Sequence, residues 1–123
     1  MEKWIYLMGG GMLGTVARYA LVGIVCQKAG AGFPYGTLLV NLIGCFLVGF
    51  LDTLSGKIFL SPSVKVFLMA GFFGAFTTFS VFMMETSNLN RDGETLRAFL
   101  NVMLSVTAGF ILLRLGAWVG KAF

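Results

Sequence analysis

Four long apolar runs decide what this chain can become. Residues 29–51 and 66–84 contain no Asp, Glu, Lys or Arg, and residues 4–27 and 98–120 contain one each, Arg18 and Arg114. A bilayer core about 30 Å thick is crossed by about 20 helical residues at 1.5 Å each, so every run is long enough to span. Backbone polar groups inside a bilayer must be satisfied within the segment, which favours helices; an outer-membrane barrel would instead show alternating segments of about ten residues. Composition agrees, with 58% apolar and 11% charged residues against about 25% charged in soluble domains. The expected fold is an all-α integral membrane protein, residues 1–123 forming a single four-helix transmembrane domain with helices at about 4–27, 33–54, 63–88 and 95–120.

The first run follows Lys3 as a secretory signal would, but it is longer than a 7–15-residue signal core, carries Arg18 and lacks an A-x-A cleavage pattern. It reads as the first membrane helix. The connections are short. Residues 28–36 break helix with three glycines and Pro34, Ser61 followed by Pro62 has the form of an N-cap and first-turn proline, and 88–95 is the most polar stretch. Neighbouring helices are therefore antiparallel.

Nine basic against five acidic residues are too few and too scattered for nucleic acid and fit membrane flanks instead. Lys3, Lys57, Lys65 and Lys121 fall on the face of the termini, with Arg114 deeper, and Lys28, Arg91 and Arg97 on the other. So small a positive-inside bias is compatible with insertion in both orientations, giving an antiparallel dimer, or with one weakly specified orientation. Histidine is absent, Cys26 and Cys45 form neither a disulfide framework nor a metal cluster, and no acidic pair is recognisable, so an enzyme is not expected.

Within the runs, polar and small residues mark where chemistry can occur. Small residues four apart, Gly10 and Gly14, Ala70 and Gly74, Gly116 and Gly120, allow close helix approach, either within the chain or between two copies. Arg18 lies about 21 Å along a helix starting at Trp4, where it can anchor at the far interface or draw an anion into a vestibule. Asn41 needs a partner inside the second run, as a tie to a neighbouring helix or as an amide donor to an anion, and Thr37 shares its face one turn earlier. In the third run Gly71, Gly74, Thr77 and Thr78 favour a local unwinding near the midplane, tolerated where backbone lines a cavity or binds an ion. Phe79 and Phe82 are three apart, with Ser80 between them and Glu85 beyond; the positive edge of such a ring can replace part of a small anion's hydration, and packing is the alternative. Asn101, Ser105 and Gly109 form a narrow stripe in the fourth run.

These strings resemble the Fluc or CrcB fluoride channels over nearly the whole chain. The resemblance rests on Gly-Thr-Val-Ala-Arg18-Tyr, on Gly-Thr-Leu-Leu-Val-Asn41-Leu-Ile-Gly, and above all on Gly-Phe-Phe-Gly-Ala-Phe-Thr-Thr-Phe79-Ser. It implies a dual-topology homodimer in the cell membrane, with two antiparallel pores through which fluoride leaves the cytoplasm passively. It also implies a central structural sodium ion held by the backbone carbonyls of Gly74 and Thr77. Phe79, Phe82, Asn41 and Ser80 would line the pore, with Ser105, Thr37 and Glu85 beside it and Arg18 as the vestibule cation. Where many members read Thr-Thr-Phe-Ser-Thr-Phe-Ser this chain has Val81 and Met83, so the hydroxyl track stops at Ser80. Two other classes compete with this reading: a small multidrug-type proton-coupled transporter, which needs a carboxylate in a first helix that here has none beyond Glu2, and a non-conducting membrane assembly subunit.

Overall fold

The computed structural model describes residues 1–123 as four long helices and no strand. Helix 1 is Glu2–Ala29, helix 2 Tyr35–Ser55, helix 3 the interrupted span Pro62–Arg91, and helix 4 Thr95–Lys121. All four are long and apolar enough to cross a membrane. Only 16 of 123 residues are buried and many large apolar side chains are exposed, as expected of a chain whose solvent is lipid. The small core is Val40, Phe73 and Phe76, with Leu21, Val22, Ile43 and Leu47 packed around it. Ser61 accepts a hydrogen bond from the Val64 N–H at 3.3 Å and Pro62 opens helix 3, so this start is the capped proline turn its sequence announces.

Glycines determine which helices touch. A Cβ on Gly10 or Gly14 would overlap the carbonyl oxygens of Phe67 and Phe72, and one on Gly71 would lie 2.9 Å from the Leu7 carbonyl oxygen. Helix 1 therefore runs backbone to backbone along the first half of helix 3. Gly49 and Gly116 do the same for helices 2 and 4, the first against the Leu113 carbonyl and the second against that of Phe46, while Gly120 meets Phe50. Each seam joins helices that are next-but-one in sequence, and residue numbers rise together along it, so the paired helices are parallel. Gly10, Gly14, Gly116 and Gly120 thus serve contacts within the chain, whereas Ala70 and Gly74 stay on the outer surface.

Helix 3 departs from regular geometry twice. Val66–Phe73 is wound as a π-helix, a rare form that no propensity in VFLMAGFF announces. After one short α-helical turn, Gly74–Phe76, the backbone opens: Thr77 is extended at φ −89°, ψ 157°, and α-helix resumes at Ser80–Arg91. The unwinding therefore centres on residues 77–79. Gly71 and Gly74 lie inside the first half, and Gly71 serves the close approach to helix 1 rather than the break itself.

Because a Cβ at Gly14 has nowhere to go, Gly14→Ala should lower stability by about 1–3 kcal/mol. Gly23 has open space around it, so Gly23→Ala should be neutral or stabilise by about 0.5–1 kcal/mol through reduced backbone entropy. Thermal unfolding of the two purified variants in detergent, followed by size exclusion, checks the contrast.

Candidate functional site

An interrupted helix leaves backbone donors and acceptors without their usual partners, and at membrane depth each one must be met. Asn41, on helix 2, meets two of them. Its Oδ1 accepts from the Thr78 N–H at 2.8 Å and its Nδ2 donates to the Thr78 carbonyl at 3.1 Å, so one side-chain amide pairs with a whole peptide residue as a neighbouring strand would. Gly44, one turn further along helix 2 on nearly the same side, leaves room for the Thr77 side chain; a Cβ there would overlap the Thr77 methyl.

The break is also trimmed from its own side. Thr77 returns both its N–H, at 3.1 Å, and its hydroxyl, at 2.9 Å, to the Phe73 carbonyl, which closes the first half. The Thr78 hydroxyl accepts from the Val81 N–H at 3.4 Å at the start of the second half. Arg18 reaches across from helix 1 and donates Nε–H to the Ala75 carbonyl at 3.0 Å. It continues the Gly10, Gly14 stripe by one more step of four, and that close seam brings the guanidinium to the broken end of helix 3. After these bonds the carbonyls of Gly74 and Thr77 still accept none within the chain. Gly74 is exposed on the outer surface and Thr77 partly so. Backbone oxygens of this kind are suitable ligands for a hard monovalent cation, so the pair fits a sodium ion; two oxygens from one chain are an incomplete shell.

Beside the break a cavity of about 350 Å³ is lined by Asn41, Thr77, Thr78, Phe79, Phe82 and Ser105, with Cys45 and Val48 on its wall. Phe82 is buried, Phe79 is 73% exposed, and their rings meet edge to face with centroids 5.9 Å apart. The Ser105 hydroxyl is buried without a hydrogen-bond partner. A buried donor left free costs stability, which makes it available to something the chain itself does not supply. Asn41 has a second amide hydrogen beyond the one given to Thr78. Ser80, by contrast, is exposed and does not line this cavity.

Thr37 and Glu85 line a second, half-open cavity of about 460 Å³, bordered by residues 30–36 and by Asn88, Asp92 and Glu94. Glu85 Oε1 is buried and unpartnered there. Since Thr37 and Asn41 are one turn apart on helix 2, the two cavities follow one another along that helix. The residue that sequence reasoning passed over is Thr86, whose hydroxyl donates to the Phe82 carbonyl at 2.7 Å and accepts at 2.9 Å from Nδ2 of Asn101, a residue of the helix 4 stripe. An amide in an otherwise apolar run was the only available signal for that tie.

Comparison with known proteins follows the same outline. A family model described as CrcB-like protein, Camphor Resistance (CrcB), matches residues 5–117. The chain belongs to the CrcB family. It is 43% identical to a protein of Desulforapulum autotrophicum over 98% of this chain and 97% of that one, and 51% identical to one of Chlorobium chlorochromatii over 91% and 88%. A protein of Geobacter sp. strain M21 is 43% identical over 99% of both chains. All three relatives carry the name fluoride-specific ion channel FluC. With four helices able to span, the CrcB chain is a multi-pass membrane protein.

Removing the amide that pairs with Thr78 should be expensive. Asn41→Leu leaves an N–H and a carbonyl unmet at about 1–3 kcal/mol each, whereas Ser105→Ala removes a hydroxyl that has no partner and should leave stability unchanged or slightly raised. Thermal unfolding in detergent, with amide exchange read at Thr78, checks both.

Proposed function

We propose that the chain is a fluoride channel of the plasma membrane, an antiparallel homodimer with two pores through which fluoride leaves the cytoplasm passively. The observation that carries this reading is the cavity at the break, where the Asn41 amide, the Ser105 hydroxyl and the Phe82 ring converge without any cationic side chain. It joins a family membership in which relatives of nearly full length are named fluoride-specific ion channels.

The chemistry follows from what fluoride needs. A small, strongly hydrated anion must exchange water for donors of similar strength, and it must also leave again. A buried ammonium or guanidinium in the narrows would hold it too long. Amide and hydroxyl donors, supplemented by the positive edges of Phe79 and Phe82, offer weak sites in series. In this reading Thr37 and Glu85 lie along the approach and Ser80 lines the track on the face where Phe79 is exposed. Arg18, whose Nε is engaged by Ala75, keeps its other N–H donors and its charge as an attraction for anions entering the vestibule.

Exposure of Gly74, Phe79 and Ser80 around the break supports a second copy as the missing wall. The carbonyls of Gly74 and Thr77 from two copies would hold the sodium ion, which supplies a fixed positive charge joining the two broken helices. Beyond Glu2 at its exposed first residue, helix 1 offers no carboxylate of the kind a proton-coupled multidrug transporter uses.

The test is fluoride efflux from liposomes holding the purified protein, read with a fluoride electrode and with chloride as competing anion. Fast fluoride release without matching chloride release is expected. No release from folded dimers in sodium would discard the channel in favour of an assembly subunit. Phe82→Ile and Phe79→Ile should each cut efflux by about tenfold or more, the equivalent of about 1.4 kcal/mol at the narrows, while dimers persist by size exclusion. Undiminished efflux in both would remove the rings from the mechanism.

A further inference from the structure

The second half of helix 3, Ser80–Arg91, is severed from the first by the break and cannot inherit its position from it. It is a short helix of 12 residues, and such a length has little stability of its own. Two asparagines from other helices hold it. Asn41 of helix 2 grips Thr78 just ahead of its start, and Asn101 of helix 4 donates to Thr86 in its middle. Asn101 is 1% exposed and is, with Val40, one of the two largest side chains completely enclosed in the protein. Thr86 passes the contact on, its hydroxyl donating to the Phe82 carbonyl at 2.7 Å. Thr78 lies two residues ahead of the helix and Thr86 one turn beyond Phe82 within it, so Phe82 sits between the two pins.

We propose that Asn101 and Thr86 are positioning residues that set the rotation of this half-helix, and with it the place of the Phe82 ring against Asn41 and Ser105. Neither residue lines the cavity at the break. Their influence runs through the backbone of Phe82. A hydrogen bond made inside a low-dielectric helix contact resists rotation more strongly than an apolar contact, because turning the helix would strand the Asn101 amide. Apolar side chains around Ser80–Arg91 would permit several rotations at similar cost. The two polar pins select one.

The transport arm of the test rests on the fluoride-channel reading; the spectroscopic arm does not. The full chain, with 4-fluorophenylalanine at position 82 alone, gives a ring-specific ¹⁹F signal in fluoride-free detergent buffer. A single narrow resonance is expected from the parent chain and from Thr86→Ser, which keeps the hydroxyl. Thr86→Val and Asn101→Leu should split or broaden it. In liposomes the same two variants, unlabelled, should release fluoride about tenfold more slowly or lose preference over chloride, and Thr86→Ser should restore both. Thr86→Val is nearly isosteric and carries the decision if Asn101→Leu does not fold. An unchanged narrow resonance in Thr86→Val, even with lowered thermal stability, would reduce the pair to an ordinary tie between helices and overturn the proposal. If the parent chain itself releases no fluoride, the channel reading falls, while the Phe82 resonance still decides whether the pins hold the ring.

Discussion

Everything in this fold depends on how the peptide at Thr78 is satisfied. A helix opened at membrane depth exposes groups that neither lipid nor a regular turn can meet, and the Asn41 amide meets one donor and one acceptor together. Arg18 and Thr77 absorb two more acceptors nearby. The break is thus a built element rather than a melted one. Its remaining oxygens, at Gly74 and Thr77, accept no hydrogen bond within the chain.

Glycine seams make this arrangement possible. Gly10 and Gly14 bring helix 1 so near helix 3 that an arginine on the next step can reach a main-chain oxygen, and Gly44 clears the space for Thr77. Bulkier residues would hold the helices apart and leave the guanidinium to find water at the interface. Packing and chemistry are consequently one constraint, since the residues that carry no side chain decide where the polar ones can act.

Much of this was legible in the sequence. Uninterrupted apolar runs define the four spans, because length and the absence of charge are sufficient criteria for crossing a bilayer. The Gly-x-x-Gly-x-x-Thr-Thr string announces an opened third helix for the same reason that these residues are poor helix formers. Other features depend on contacts that a linear pattern does not encode. Glycines spaced by four are equally consistent with internal and external seams, so helix pairing emerges only in three dimensions. Arg18 could be assigned an anchor or a vestibule, but its carbonyl partner is 57 residues away on a helix whose register against helix 1 was unknown. The π-winding of Val66–Phe73 has no local signature at all, and the tie from Asn101 to Thr86 crosses a loop from an amide with several possible partners.

The pairing of helix 1 with helix 3 and helix 2 with helix 4 also orders how the chain can come together as it is made. Gly36 already fits helix 2 against the Val22 backbone of helix 1, but after two helices have entered the bilayer Gly10, Gly14 and Gly49 have not met the surfaces they fit. The first seam can close only when the third span arrives, and the second only when the fourth does. Asn41 and Arg18 must wait in the membrane without their final partners, which makes the early nascent chain the stage most dependent on outside help.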